Sequence, residues 1–162
     1  MKGFDIFNLS IMSGMFFLVD YFSKKIVKIY SNKINGKKYL FIILSYKNNT
    51  GAFFGIGSSF SVVIKILSLI VIPIIFLLGI FSFYYFFCIH SICNSILISL
   101  IFGGCLGNIY ERVKYKFKVT DFLQIKIGRI KTGIMNLADI YITVGIIMFY
   151  INNLEVIINT HF

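Results

Sequence analysis

The sequence has few charged residues for a chain of its length. Asp, Glu, Lys and Arg make up 14% of its 162 residues, against about 25% in a typical soluble domain. Apolar residues make up 58%, phenylalanine alone contributes 19 residues, and the mean hydropathy is +0.88. A water-soluble fold of this size could not bury so much apolar surface, so the composition predicts a protein whose solvent is a lipid bilayer.

Histidine and cysteine are also scarce, which argues against a metal centre. His90 and His161 form no His-Glu-x-x-His motif, so a zinc hydrolase is poorly supported. Cys88, Cys93 and Cys105 lie in apolar stretches and form no Cys-x-x-Cys motif. This pattern favours packed thiols over a disulfide or a metal site. A Gly-rich phosphate loop is absent as well.

Acidic residues number only 6 against 16 basic residues, giving a net charge of +10. Such an excess of positive charge suggests nucleic-acid binding in a soluble protein. Here the basic residues are interleaved with lipid-type segments and form no free basic domain. Nucleic-acid binding is therefore excluded as the leading hypothesis.

Four apolar runs are long enough to cross a ~30 Å hydrocarbon core as helices. The first is interpreted as a retained helix, because Asp20 and Lys24 interrupt it and no small-x-small cleavage site follows it. A short turn near residues 87–91 separates the second run from the third. We expect an all-α membrane protein of one domain, residues 1–162, with four transmembrane helices. The predicted spans are residues 9–27, 60–85, 91–112 and 133–151.

Two loop stretches between these spans have β-type patterns. Tyr39 to Tyr46 is rich in aromatic and β-branched residues, which predicts a strand. Val113 to Thr132 alternates apolar and basic residues, which predicts a surface ribbon with one apolar and one basic face. Four spans place both loops on one side of the membrane. The lysine content favours the cytoplasmic side, although lysine is frequent throughout the chain.

Asp121 and Asp139 are the candidate catalytic residues, because carboxylates at membrane boundaries are costly and usually functional. Asp139 lies two turns into a helix predicted from Gly133, sharing a face with Asn136 and Thr143, and Asp121 ends the ribbon. The chain between them leaves the interface and returns, so both carboxylates are expected at one depth. Two close carboxylates share one proton, as in aspartic peptidases. The alternatives are a helix-packing cluster for Asp139 and a turn or cap for Asp121.

Other polar and glycine residues are candidates for supporting the two carboxylates. Asn108 and Arg112 lie four apart on the third helix, and Arg112 is interpreted as the cation holding the charge of the pair, or as a snorkelling helix-end residue. Asp20 and Lys24 have the spacing of an intrahelical ion pair. Asp5 and Glu155, near the termini, are interpreted as solvated. The remaining candidates are glycines that flatten one side of the third helix and a turn whose amides suit an extended substrate: Gly103, Gly104, Gly107 and residues 49–51.

Five of these motifs occur in order along nearly the whole chain. They are Asp20-x-x-x-Lys24, Asn49-x-Gly51-x-x-Phe54, Gly103 to Asn108 with Arg112, Val119-x-Asp121-Phe122 and Asn136-x-Ala138-Asp139. Together they resemble lipoprotein signal peptidase (signal peptidase II), a family of aspartic peptidases of bacterial inner membranes. The resemblance implies that Asp121 and Asp139 are the catalytic dyad. It implies substrate-binding or supporting roles for Asp20, Lys24, Asn49, Gly104, Asn108, Arg112, Asn136 and Ala138.

The resemblance also implies a substrate and a topology. The substrate is a prolipoprotein whose lipobox cysteine carries a diacylglyceryl group, with cleavage just before that cysteine. Membrane lipids and globomycin-type cyclic peptide inhibitors are the other implied partners, and neither a metal nor another cofactor is expected. The implied location is the bacterial inner membrane, with both termini cytoplasmic and both loops outside, against the lysine content.

One residue departs from the family pattern. Glu111 stands where the family usually has Asp, and we expect weakened geometry at the end of the helix without loss of the chemistry. This departure keeps open the hypothesis of an inactive peptidase. A further alternative is a non-enzymatic membrane protein, either a small transporter or a partner in a larger complex. The lack of an internal repeat argues against a transporter.

Overall fold

The structure, a computed structural model, describes residues 2–52, 55–86 and 91–154. Its helices are α1 Lys2–Ile34, α2 Val62–Ile66, α3 Ile72–Phe86, α4 Ile92–Lys114 and α5 Leu137–Asn152. Its strands are β1 Lys38–Tyr39, β2 Ile42–Asn49, β3 Val119–Ile127 and β4 Ile130–Lys131. Several features considered above fall outside the described residues: Phe54, Cys88, His90, Glu155, His161, the side chain of Asp5 and residues 87–90 of the turn predicted near residues 87–91.

Three helices within the described residues are long and apolar enough to cross a membrane: Ile6–Ile34, Val62–Phe86 and Ile92–Lys114. The first is longer than the apolar run 9–27, because the helix continues through polar residues until Asn35 and Gly36. Gly36 has φ +82° and donates its N–H to the Leu44 carbonyl at 2.7 Å, which ends the helix.

The fourth predicted span is only partly matched by the structure. Helix α5 has 16 residues, fewer than the ~20 that a spanning helix needs. It begins at Leu137 and not at Gly133, because the preceding segment is extended and Met135 forms a β-bridge with Leu123. Four spanning helices are therefore not confirmed.

The second span is continuous but irregular. A π-helical turn, Leu67–Val71, joins α2 to α3. Pro73 follows two residues later and has no N–H to donate to the preceding turn of the helix. Since proline removes that bond and crowds the carbonyl four residues before it, a local change of helical pitch is the expected accommodation.

Helix α4 lies between α1 and α5, and glycines allow all three backbones to approach closely. A Cβ on Gly103 would lie 2.8 Å from the Ser13 carbonyl oxygen of α1, and one on Gly104 would lie 2.7 Å from the Ala138 carbonyl oxygen of α5. Gly107 faces the side chain of Asp20 on α1. The glycines therefore serve two faces of α4, and the expectation that they flatten one side is wrong.

The four strands form one antiparallel array in the order β1-β2-β3-β4. The strand predicted at Tyr39 to Tyr46 is split by a turn in which Leu40 has φ +50°. Strands β2 and β3 pair with Asn49 opposite Val119 and Lys47 opposite Asp121. This register brings the end of β2 beside the start of β3, where the candidate residues lie.

The ribbon predicted from Val113 to Thr132 is wrong at its beginning. Val113 belongs to α4, and Lys116 and Phe117 reverse the chain with φ +52° and +67° before β3 begins. The expected alternation of faces also fails there, because all residues from Val119 to Phe122 are buried. Strand β3 is flanked by β2 and packs against α1 and α4, so neither face of its first half meets water.

Candidate active site

Asp121 and Asp139 lie next to each other because both contact Asn136. The Asn136 side-chain Nδ2 donates to Asp121 Oδ1 at 2.7 Å, and its backbone N–H donates to Asp139 Oδ2 at 3.1 Å. The Asp139 backbone N–H in turn donates to Asn136 Oδ1 at 3.0 Å. Asn136 and Asp139 thus form a capping box at the start of α5. Asp139 is in the first turn of the helix, which corrects the position predicted two turns in.

Backbone pairing explains how the chain places Asn136 beside Asp121. Phe122 and Leu123 donate their N–H groups to the Met135 carbonyl at 2.8 Å, and Met135 donates back to Leu123 at 2.8 Å. The segment before α5 therefore runs along β3 for a few residues. Asn136 directly follows the paired Met135, and Asp121 lies two residues before Leu123, so the two side chains meet.

Amide groups bind the other oxygens of the two carboxylates. Asn49 Nδ2 donates to Asp121 Oδ2, and Asn108 Nδ2 donates to Asp139 Oδ1, both at 2.9 Å. Asp121 is only 2% exposed, whereas Asp139 is partly exposed. The pair therefore has one deeply held carboxylate and one that is accessible to water or a ligand.

Burial and the neighbouring charge alter the titration of Asp121. Desolvation is the larger cause and the negative charge of Asp139 the next, and together they raise the pKa of Asp121 to about 6. The hydrogen bonds from Asn49 and Asn136 act in the opposite direction. A carboxyl group whose pKa is raised by burial and, to a lesser extent, by a second carboxylate beside it is suited to share one proton with that carboxylate.

Arg112 does not contact either carboxylate, contrary to the role expected for it. Its guanidinium Nη2 donates to the Gly51 carbonyl at 3.0 Å, and within the described part of the chain no ion pair to it is shorter than 4.0 Å. Any effect of its charge on Asp121 and Asp139 is therefore exerted through space, while its direct contact holds the loop after β2.

Asp20 and Lys24 form more than an intrahelical ion pair. Their charged atoms are 2.7 Å apart, and Asp20 Oδ1 also accepts the Ala138 backbone N–H of α5 at 3.0 Å. Lys24 Nζ donates to Asn108 Oδ1 at 2.9 Å. Because that oxygen is taken by the ammonium, the Asn108 amide nitrogen is the group left to face Asp139.

The loop after β2 is closed by its own hydrogen bonds. Asn49 Oδ1 accepts the Gly51 N–H at 2.9 Å, and Asn49 Nδ2 donates to the Ala52 carbonyl at 2.9 Å as well as to Asp121. The Ala52 N–H donates to the Ile56 carbonyl at 2.6 Å. The Gly51 amide, one of those expected to bind a substrate, is therefore engaged within the loop, as is the neighbouring Ala52 amide.

Glu111 connects three elements through contacts that the sequence did not reveal. Its Oε2 accepts the Thr120 N–H at 2.7 Å, and its Oε1 accepts the Thr120 hydroxyl at 3.2 Å and the Lys28 ammonium at 2.5 Å. Lys28 also lies 3.8 Å from the centre of the Tyr115 ring. These contacts tie the end of α4 to α1 and β3. The signal that was missed is the i, i+4 spacing of Lys24 and Lys28 on α1.

The site is thus a carboxylate pair held by three asparagine side chains, and the described residues contain no group of three or more His, Cys, Asp and Glu that could hold a metal ion. The family model for signal peptidase (SPase) II matches residues 12–155. This chain belongs to the signal peptidase II family. Membership of the signal peptidase II family confirms the resemblance found in the sequence motifs and makes the chain a membrane peptidase by family.

Relatives in the signal peptidase II family align along almost the whole chain. The lipoprotein signal peptidase of Wigglesworthia glossinidia brevipalpis is 37% identical over 158 residues, covering 94% of this chain and 97% of the relative. The lipoprotein signal peptidase of Borrelia duttonii (strain Ly) is 33% identical over 156 residues, covering 91% of this chain and 89% of the relative. A bacterial membrane enzyme solved by the in meso method at 2.3 Å resolution superposes with a TM-score of 0.74 at 26% identity, covering 91% of this chain and 87% of its own.

Proposed function

We propose that this protein is an aspartic endopeptidase that removes the signal peptide from diacylglyceryl-modified prolipoproteins, cutting just before the lipidated cysteine. Its family and the lipoprotein signal peptidases that it resembles support the processing of prolipoprotein signal peptides. The observation that carries the aspartic mechanism is the bridging of Asp121 and Asp139 by Asn136. Both carboxylates are thereby held in one low-dielectric site.

The proposed chemistry needs a single proton on the pair. The ionised carboxylate takes a proton from a water molecule as that water attacks the peptide carbonyl, while the protonated carboxyl donates to the carbonyl oxygen. As the resulting gem-diol collapses, the carboxyl that took the water proton gives it to the leaving nitrogen, and the other carboxylate takes a proton from a gem-diol hydroxyl as the new carbonyl forms and the C–N bond breaks. Each aspartate returns to its starting state, so neither a metal nor a nucleophilic side chain takes part.

The supporting residues act by holding this pair. Asn49, Asn108 and Asn136 orient the carboxylate oxygens by donating amide hydrogens. The Asp20–Lys24 ion pair supports the pair from α1. Lys24 binds the Asn108 side chain, and Asp20 accepts the N–H of Ala138, the residue before Asp139. Two further residues position the elements around the pair. Gly104 lets α5 approach α4, and Arg112 holds the loop at Gly51.

The proposed setting follows from the substrate. A diacylglyceryl group confines the scissile segment to the membrane boundary, and this confinement replaces part of the binding that a soluble peptidase must supply. We place the single domain, residues 1–162, in the bacterial inner membrane, with both loops outside and both termini in the cytoplasm. Globomycin-type cyclic peptides are the expected inhibitors, and no cofactor is involved.

The test is cleavage of a purified lipidated prolipoprotein by Asp121→Asn and Asp139→Asn. Each change keeps the shape of the side chain and removes its acid–base function, so turnover should fall by at least about 10³-fold. Asp5→Asn makes the same chemical change near the terminus and should leave turnover within about twofold. Near-normal turnover in either dyad variant, with the fold intact by thermal melting, would refute the aspartic mechanism.

A further inference from the structure

A cationic cavity of about 710 Å³ lies between the start of α2 and the end of α4, and of its lining the catalytic proposal uses only Arg112, whose Nη2 holds the Gly51 loop. Among the described residues, its walls carry the positively charged side chains of Lys65, Arg112 and Lys116 and no carboxylate. The rest of its lining is apolar, with Val62, Ile66 and Ile70 one turn apart along the second span. Asp139, Asp121 and Glu111 act on the charge of Arg112 from outside this lining, so the cavity itself presents three cations without a carboxylate and favours an anionic ligand.

Arg112 shows that this cavity has an unfilled hydrogen-bonding position. The side chain is only 8% exposed, and its buried Nε has no hydrogen-bond partner among the described residues. Leaving such a buried donor unsatisfied is costly, and more so when the group is charged. An anionic oxygen in the cavity would supply the missing acceptor, while Nη2 keeps its bond to Gly51.

The turn that follows α4 brings a second cation to the same wall. Lys116 has φ +52° and Phe117 φ +67°, and the Phe117 N–H donates to the Arg112 carbonyl at 2.7 Å. Glycine is the usual residue in such a left-handed position, because a side chain there crowds the backbone. Lys116 makes no hydrogen bond or ion pair with the described part of the chain, whereas Lys65 donates to the Ser58 carbonyl at 2.7 Å.

The depth of the cavity identifies the class of anion. Val62 begins one candidate span and Lys114 ends another, so the cations lie at the boundary between hydrocarbon and water. Basic pockets between transmembrane helices at this level suit phospholipid headgroups, and the fork of an arginine matches phosphate oxygens. We propose that the cationic cavity binds the phosphodiester headgroup of an anionic phospholipid, with an acyl chain along the apolar stripe of Val62, Ile66 and Ile70.

The experiment measures the melting temperature of the delipidated full-length protein in neutral detergent, without substrate, as lipid is added. Dioleoyl phosphatidylglycerol should raise it by about 5 °C near saturation. Dioleoyl phosphatidylcholine and inorganic phosphate should each raise it by less than about 1 °C. An equal rise with phosphatidylcholine would overturn the headgroup assignment, and an equal rise with phosphate would assign the cavity to a free anion and not to a lipid.

A matched pair of double variants locates the effect. Lys65→Gln with Lys116→Asn removes two cavity cations, and asparagine tolerates the left-handed backbone of position 116. This variant should bind phosphatidylglycerol at least tenfold more weakly. Lys126→Gln with Lys131→Gln removes the same charge from β3 and β4, outside the cavity, and should bind as the unaltered protein does. Equal weakening in both variants, or none in the first, would overturn the proposal whether or not the protein cleaves prolipoproteins.

Discussion

Asn136 joins the two aspartates through three of its own groups. Its side-chain nitrogen binds Asp121, while its side-chain oxygen and backbone N–H complete the cap with Asp139. Because a single residue at a helix N-cap orients both carboxylates, the spacing of the pair depends on where α5 begins. A shift of the helix start by one residue would separate Asp121 from Asp139 even if both remained buried.

The pH dependence of cleavage follows from the raised pKa of Asp121, about 6. Asp139, whose negative charge helps to raise this pKa, is ionised while Asp121 titrates. Below about pH 6 Asp121 therefore carries the single proton of the pair, and above it both carboxylates are ionised and no acid is left to protonate the peptide carbonyl. We expect kcat/KM to fall as pH rises through about 6. Steady-state cleavage of a lipidated peptide between pH 4.5 and 8 measures this fall. A rise of kcat/KM through pH 6 would show that Asp121 must lose its proton to act as the base.

At the scale of helices and strands, α4 organises the site because it packs against both α1 and α5. A Cβ on Gly104 would lie 2.7 Å from the Ala138 carbonyl oxygen and 2.9 Å from Ile142 Cγ1. Gly104→Ala should therefore push α5 away and lower the free energy of unfolding by about 1–3 kcal/mol. It should also reduce turnover, since Asp139 follows the displaced Ala138.

A glycine in an open position provides the control for this substitution. A Cβ on Gly79 of α3 would meet nothing within 4 Å, so Gly79→Ala should be neutral or stabilising by up to about 1 kcal/mol. Thermal melting and a cleavage assay on both variants distinguish close packing from a general effect of alanine in a helix. Full activity in Gly104→Ala would contradict the proposed dependence on the α4–α5 distance.

Glu111 and Lys28 hold β3 against the helices on the side of the site facing α1. Lys28→Met removes the ammonium that contacts Glu111 Oε1, leaving the buried carboxylate with Thr120 as its hydrogen-bond donor and the Lys24 ammonium 3.9 Å away. We expect a loss of about 1–2 kcal/mol of stability and lower turnover, because Asp121 directly follows Thr120. Lys28→Arg should retain most of the stability and turnover. Lys33→Met, which changes an exposed lysine on the same helix, should alter neither the stability nor the turnover.

The coupling energy tests whether Lys28 acts through Glu111. In a double-mutant cycle, Lys28→Met and Glu111→Gln should show an interaction of about 1 kcal/mol or more. Additive effects would mean that the two residues stabilise the protein separately. Chemical denaturation in a fixed detergent supplies the four free energies.

The sequence predicted the meeting of Asp121 and Asp139 because both lie where the chain leaves and re-enters the membrane boundary. It did not predict the start of α5, since residues 133–136 are apolar enough to extend a span but are held extended by pairing with β3. It also missed the left-handed turn at Lys116, because alternation continues through that residue in the sequence. Contacts such as Lys28 with Glu111 join residues 83 apart. The i, i+4 spacing of Lys24 and Lys28 places both lysines on one face of α1, but it does not identify Glu111 as their partner.

For the whole molecule, the distribution of charge is the main feature left to explain. Asp20, Glu111 and Asp121 are buried and Asp139 lies in the site, so these carboxylates do little to offset the lysines of the sheet and loops. The positive-inside rule would place such a surface in the cytoplasm. If the cationic cavity binds anionic lipid, the basic residues on this surface are explained by lipid binding, and the surface need not face the cytoplasm.

The topology prediction decides between these two interpretations. Helices α1 and α4 end beside the sheet and α5 begins there, so the loops and the carboxylate pair share one end of the molecule, which the proposed substrate requires to face outward. An alkaline phosphatase reporter inserted after Gly128, in the turn between β3 and β4, should therefore be active. The same reporter fused after Phe162 should be inactive, and a fluorescent protein at that position should fold in the cytoplasm. The reverse pattern would place the carboxylate pair in the cytoplasm, out of reach of translocated prolipoproteins, and would leave the basic loops to the positive-inside rule.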